Sequence, residues 1–144
     1  MGVGYPLDIV VCVCLGADMF DCVYPTRTAR FGTALVPHGL LKLKHKEFAR
    51  DFRPIDEECD CPVCRSYTRA TLHALATREI AGAQLISQHN IAYLLRLTKA
   101  MRQAILADDL PRFVNDYMAK MFPKGDVPKW VRDALKVAGI ELQF

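Results

Sequence analysis

Two stretches of this chain hold residues whose types and spacing could do chemistry. The first is "DMFDCVYPTRTAR", residues 18 to 30, with Asp18, Asp21, Cys22, Arg27 and Arg30 close together. A carboxylate in such a place can attack an electrophilic carbon, and arginines can hold phosphates. The residues alone equally allow plainer roles. Asp21 can be a cap or a salt-bridge partner, and Asp18 reads as a turn residue. Cys22 alternates with Asp21 and reads as packing. The second stretch is Cys59-x-Cys61-x2-Cys64, followed after 24 residues by His89. Three thiolates and one imidazole make a closed tetrahedral set, the usual form of structural zinc. Cys59 and Cys61 sit too close for an easy disulfide, and Pro62 stiffens the turn between the thiols. Spacing alone leaves free thiols, a disulfide or another metal open.

His89 is the best ligand among four histidines. It lies in "SQHN", which reads as the junction of two helices. His73 falls in mid-helix and reads as a core or surface residue, while His38 and His45 sit in polar loop or strand surroundings. Cys12 and Cys14 read as small buried side chains on an apolar helix.

Several elements must position these residues. "GVGYP" reads as a loop or strand end. "LDIVVCVCLGA" reads as a buried helix over Leu7–Leu15, capped by Asp8 and ending near Gly16. "MFDCVYP" reads as a short strand stopped by Pro25, with Thr26 to Arg30 as the loop after it. Strand end, helix and strand in that order predict a parallel sheet. "GTALVPHGLLKLK" predicts two short strands around a turn at "PHG". Its second strand alternates Leu41 and Leu43 with Lys42 and Lys44, giving one buried and one basic face. "RDFRPIDEECDCPVC" is irregular and contains the best composition break. Helices are expected at about 66–77, 79–88, 91–107, 109–122 and 128–138.

The chain has 144 residues, is 51% hydrophobic and carries a formal charge of +3. That is one ordinary domain's length with ample core material. The charge is uneven. Between residues 27 and 53, seven basic residues against Glu47 and Asp51 leave a net +5. Such a tract suits a polyanion such as nucleic acid, or a solvated strand face. Met1 is followed by "GVGYPLD", without the basic start and long apolar run of a signal peptide. The apolar run Ile9–Leu15 is too short to span a membrane, so no transmembrane segment is expected. With nothing indicating secretion, clustered cysteines point to metal rather than disulfides. The strands in view are too few for a full parallel sheet, which suggests a piece of a larger α/β protein.

"MGVGYPLD", "DMFDCVYPTRTAR", "CDCPVC" and "HNIAY", in this order, resemble the C-terminal part of the tRNA-guanine transglycosylases. The resemblance covers essentially the whole chain, and "TRTAR" resembles the eukaryotic form. It implies an α/β fold: the C-terminal portion of a (β/α)8 TIM barrel with a zinc-binding, mostly helical subdomain. Residues 1–54 would supply the last barrel strands and helix, with catalytic and tRNA-contact loops. Residues 55–144 would form the zinc-binding and C-terminal helical part. The implied activity is exchange of the wobble guanine of a GUN anticodon for queuine. Asp21 would be the nucleophile of a double displacement through a covalent aspartyl-ribose intermediate.

The resemblance also assigns tRNA contacts to Gly2, Val3, Gly4, Tyr5, Pro6, Leu7 and Asp8, and to Thr26, Arg27, Thr28, Ala29 and Arg30. It assigns structural Zn2+ to Cys59, Cys61, Cys64 and His89. The implied partners are tRNA, the queuine or guanine base, and a non-catalytic paralogous subunit or a second copy. The implied setting is cytoplasmic, with peripheral association at the mitochondrial outer membrane. Most of the base pocket and the proton-acceptor aspartate would lie outside this sequence, so the fragment alone is expected to be inactive. A rival reading is a zinc-dependent dimerisation or assembly module without catalysis. A generic zinc-binding nucleic-acid module explains the charge and the cysteines but not residues 18 to 30.

Overall fold

The computed structural model describes residues 1–143. In chain order it holds helices α1 (Pro6–Cys14) and α2 (Tyr24–Arg30), strands β1 (Thr33–Val36) and β2 (Gly39–Lys42), and a 3-10 helix (Lys46–Arg50). Helices α3 (Pro62–Ser66), α4 (Arg69–Arg78), α5 (Ile80–Leu106), α6 (Leu110–Met121) and α7 (Lys129–Val137) follow. The chain divides into two compact units, Val23–Arg96 and the pair of segments Met1–Cys22 and Leu97–Phe144.

The unit formed by Val23–Arg96 begins with α2. Pro25 stands in its first turn, where a fixed φ and a missing N–H cost nothing. The proline therefore opens a helix here, and Thr26 to Arg30 are helical rather than a loop. Strands β1 and β2 follow as a two-stranded antiparallel sheet, with Ala34 opposite Leu41 and Val36 opposite Gly39. This is the hairpin expected at "PHG". It is the one sheet among the described residues, so the expected parallel sheet is not seen within them. All four residues of β1 are buried. At the end of β2 and just after it, Lys42 and Lys44 are exposed while Leu43 between them is buried, as the alternation predicts.

The 3-10 helix leads to an irregular stretch and the short α3. Helix α4 is capped by Thr68, whose Oγ1 accepts from the Thr71 N–H at 3.2 Å, and packs on the 3-10 helix. The Arg69 guanidinium is buried. It donates to the carbonyls of Pro54 and Ile55 and to Asp51 Oδ2, at 2.8, 2.9 and 3.1 Å. These bonds give the irregular stretch the partners it lacks in a ladder.

Helix α5 is a single run where two helices were expected. The polar group "SQHN" suggested a break. The side chains of His89 and Asn90 instead find buried partners, and no Gly or Pro interrupts the helix there. Near its start, Gly82 lies so close to α4 that a Cβ would collide with the Ala76 backbone. The core of this unit joins Ala29, Ala34, Leu43, Ile55, Leu72 and Ile86 with the three clustered cysteines.

The other unit begins with α1. Pro6 occupies its first turn, and Asp8 lies inside that turn rather than at the cap. There the carboxylate faces the positive end of the helix dipole, and partial burial pushes its pKa up. Gly16, at φ 98°, ends the helix, and the Ala17 N–H returns to the Cys12 carbonyl at 2.9 Å. Helices α6 and α7 complete this unit with the last residues of α5, and α1 packs on α7. Val131 and Leu135 form the buried stripe of α7. Asn115 pins the C-terminal segment by bonding the Glu141 carbonyl and the Gln143 N–H.

The segment "MFDCVYP" is not a strand. Residues 17 to 22 are irregular, and Tyr24 and Pro25 already belong to α2. A strand needs a neighbour to take its backbone bonds. Among the described residues, the Gly2 N–H donates to the Asp21 carbonyl at 2.8 Å, and the Val23 carbonyl accepts from Arg27 within the turn that opens α2. Among the described residues, no helix is long and apolar enough to cross a membrane.

Candidate functional site

Cys59, Cys61, Cys64 and His89 are all buried, and their ligand atoms lie within 4.8 Å of one another. His89 Nδ1 stands 3.9, 3.6 and 3.4 Å from the sulfurs of Cys59, Cys61 and Cys64. A tetrahedron with Zn–S and Zn–N arms of standard length has S···N edges of about 3.6 Å. The four residues therefore form a tetrahedral metal-binding site whose donor set fits structural zinc.

Local structure explains how short spacing achieves this. Cys61 is the N-cap of α3, with its Sγ accepting from the Cys64 N–H at 3.4 Å, and Pro62 fixes the first turn. One turn of helix thus brings Cys61 and Cys64 together. The Cys59 N–H bonds the Asp56 carbonyl at 3.2 Å. Asp56 in turn takes a 2.6 Å bond from Arg96 on α5, which also donates to the Glu58 carbonyl at 3.3 Å. His89 comes from the middle of α5, not from a helix junction. Its Nε2 lies 2.8 Å from the buried Leu35 carbonyl. An N–H donated there leaves Nδ1 unprotonated and aimed at the sulfurs, the outer bond that fixes a metal-binding histidine.

The electrostatics suit a bound metal cation. Burial pushes the Cys59 thiol up and the Cys64 thiol up to about 12. Burial also holds the His89 imidazole neutral by lowering its pKa. Burial thus disfavours the thiolate forms of Cys59 and Cys64. A divalent ion supplies the charge that removes their protons. The closed, four-ligand set leaves no open position for catalysis.

The remaining predicted residues are distributed as follows. Asp21 is exposed, and the Gly2 N–H approaches its Oδ1 at 3.4 Å. Asp21 does not cap α2, whose N-cap is Val23. Gly2 has φ 75°, a left-handed conformation suited to glycine. Gly4, Pro6 and Leu7 are buried, whereas Val3, Tyr5 and Asp8 are half-buried. On α2, Arg27 and Arg30 are exposed three residues apart on one face. Pro25 and Ala29 are buried on another, and Thr26 and Thr28 are intermediate. Cys12, Cys14 and Cys22 are half-buried free thiols rather than full core residues.

Sequence reasoning missed Asn90, Asp56 and Arg96, which brace the ligand loop and helix. The signal for Asn90 was the adjacent polar pair His89–Asn90 within an apolar helical pattern.

Comparison with known proteins follows the same lines. A family model described as queuine tRNA-ribosyltransferase matches residues 1–123. The queuine tRNA-ribosyltransferase catalytic subunit of Caenorhabditis elegans is 44% identical over all of this chain and 40% of its own length. The corresponding catalytic subunit of Schizosaccharomyces pombe is 44% identical over 99% of this chain and 37% of its own. The queuine tRNA-ribosyltransferase of Thermus thermophilus is 48% identical over 96% of this chain and 36% of its own. The chain thus spans about two fifths of the length of the curated relatives it matches. On the family match and these identities, the chain belongs to the queuine tRNA-ribosyltransferase family.

Proposed function

We propose that these residues form the C-terminal part of a (β/α)8-barrel tRNA-guanine transglycosylase that exchanges the wobble guanine of a GUN anticodon for queuine. Asp21 is its nucleophile. Its carboxylate attacks ribose C1′ as the guanine leaves, giving a covalent aspartyl-ribose. The incoming base then displaces Asp21. Two displacements retain configuration at C1′. The exposed cations Arg27 and Arg30, with the segment Gly2–Asp8, hold the RNA around that nucleotide. The zinc shapes the fold and takes no part in the reaction.

One observation carries this reading. Asp21 is exposed, caps no helix and joins no ion pair among the described residues. The two plain roles for this carboxylate are therefore absent where the family motif places a nucleophile. Activity belongs to the whole protein, and residues 1–144 alone are inactive in this proposal. The partner subunit, the cytoplasmic setting and the mitochondrial outer surface rest on family resemblance alone.

The alternative is a zinc-dependent assembly module without catalysis. Ile91 and Leu95, exposed one turn apart on the zinc-bearing helix α5, favour it. Substitution separates the two readings. In the parent protein, Asp21→Ala abolishes base exchange and any covalent tRNA adduct while tRNA binding survives. Substantial turnover in that variant would place the nucleophile elsewhere and favour the assembly reading.

A further inference from the structure

Asn90 is fully buried beside a zinc ligand, yet it is not a ligand itself. Its side-chain amide is completely engaged. Oδ1 accepts from the Leu35 N–H at 2.8 Å. Nδ2 donates to the Thr33 carbonyl and to the Pro25 carbonyl, both at 3.0 Å. Two of these partners are in β1. The third lies in the first turn of α2, on the buried side of the helix whose opposite face presents Arg27 and Arg30. The neighbouring zinc ligand His89 bonds the carbonyl of the same Leu35.

We infer that Asn90 is a positioning residue for RNA binding: it fixes α2 against β1, and so sets where Arg27 and Arg30 stand. The inference rests on the proposed role of those arginines. A seven-residue helix does not hold its own shape in water, so its placement must come from anchors. Pro25 and Ala29 supply apolar packing but no direction. The Asn90 amide supplies direction because its two N–H donors and one acceptor match two strand groups and one helix carbonyl. Aspartate has the same shape but no donors. It would face the Pro25 and Thr33 carbonyls with a third oxygen.

The test compares Asn90→Asp, Arg27→Ala/Arg30→Ala and the combined variant, each loaded with zinc. The measurements are zinc content and binding of an RNA anticodon stem-loop. Asn90→Asp is expected to keep one zinc per chain and to weaken RNA binding about tenfold. The combined variant is expected to bind no worse than Arg27→Ala/Arg30→Ala, because both changes remove one interaction. Independent losses that multiply, or unchanged binding in Asn90→Asp, would overturn the positioning role. Unchanged binding in Arg27→Ala/Arg30→Ala would instead overturn the role of the arginines themselves.

If Asn90→Asp does not fold, hydrogen exchange in the unsubstituted chain decides. The Asn90 side-chain amide and the backbone amides of α2 are expected to share one protection factor, since α2 is released only when Asn90 is. A side-chain amide exchanging about tenfold faster than α2 would show that the helix holds without it.

Discussion

The zinc-binding half of the molecule and the segment carrying Asp21 are built on opposite terms. In Val23–Arg96, each metal ligand is buried and seated by a neighbour: Cys61 by the α3 cap, Cys59 by Asp56, His89 by the Leu35 carbonyl. The parts that hold the site lie within that unit. Asp21 is exposed in an irregular segment, and among the described residues Gly2 is the partner of both its backbone carbonyl and its carboxylate. A structural site must satisfy its own polar groups. A nucleophile, the role proposed for Asp21, must leave its reactive oxygens available.

Metal removal should break this comparison most visibly. Binding energy at such a site is largely folding energy, and the ligand cysteines belong to the core. Chelation, or Cys64→Ser, is expected to abolish the cooperative unfolding of Val23–Arg96, followed by hydrogen exchange of β1 and α4. Elemental analysis of the intact chain should find one zinc. Less than about half an equivalent with unoxidised cysteines would contradict the site.

A smaller effect is expected at Asp51. Bonded first to Arg53 and then to the buried Arg69, its carboxyl is held well below the usual carboxylate range. A lowered native pKa stabilises the fold fully above the unfolded value of about 3.9. That contribution fades as pH falls through the window below it, towards the native pKa. Asp51→Asn, which leaves Arg69 buried and short of a partner, should cost about 2 kcal/mol at neutral pH. It should also flatten the acid limb of the stability curve, read from denaturant midpoints between about pH 5 and about pH 2, chosen around the usual range. An unchanged limb would make the pair incidental.

Arg27→Ala and Arg30→Ala should have the least effect on the fold, since both side chains are exposed. If they hold RNA as proposed, their effect is expected in RNA binding by the parent protein. Each arginine withdrawn from a phosphate should reduce the slope of log affinity against log salt by about one. An unchanged slope would make these arginines a solvated face.

The same contrast explains what was legible in the sequence. The ligand set was readable because tetrahedral zinc needs four soft or imidazole donors and three thiols stand at short spacing, and Cys59, Cys61, Cys64 and His89 are the four the structure brings together. The hairpin was readable from alternation. The continuity of α5 was not, because the polarity of His89 and Asn90 resembles a helix end until β1 is seen to take their bonds. "MFDCVYP" has strand composition, but composition cannot supply a pairing partner, and Pro25 suits a helix start as well as a strand stop. The role proposed for Asp21 comes from the family motif and not from periodicity, because an exposed carboxylate leaves no pattern.

The proposal that Asp21 forms the covalent intermediate can be tested at a single residue. The parent protein is mixed with substrate tRNA without an incoming base, denatured, and digested with nuclease and protease, and the ribose-bearing peptide is sequenced by mass spectrometry. The account predicts the adduct on the Asp21 side chain. An adduct on another residue would contradict it.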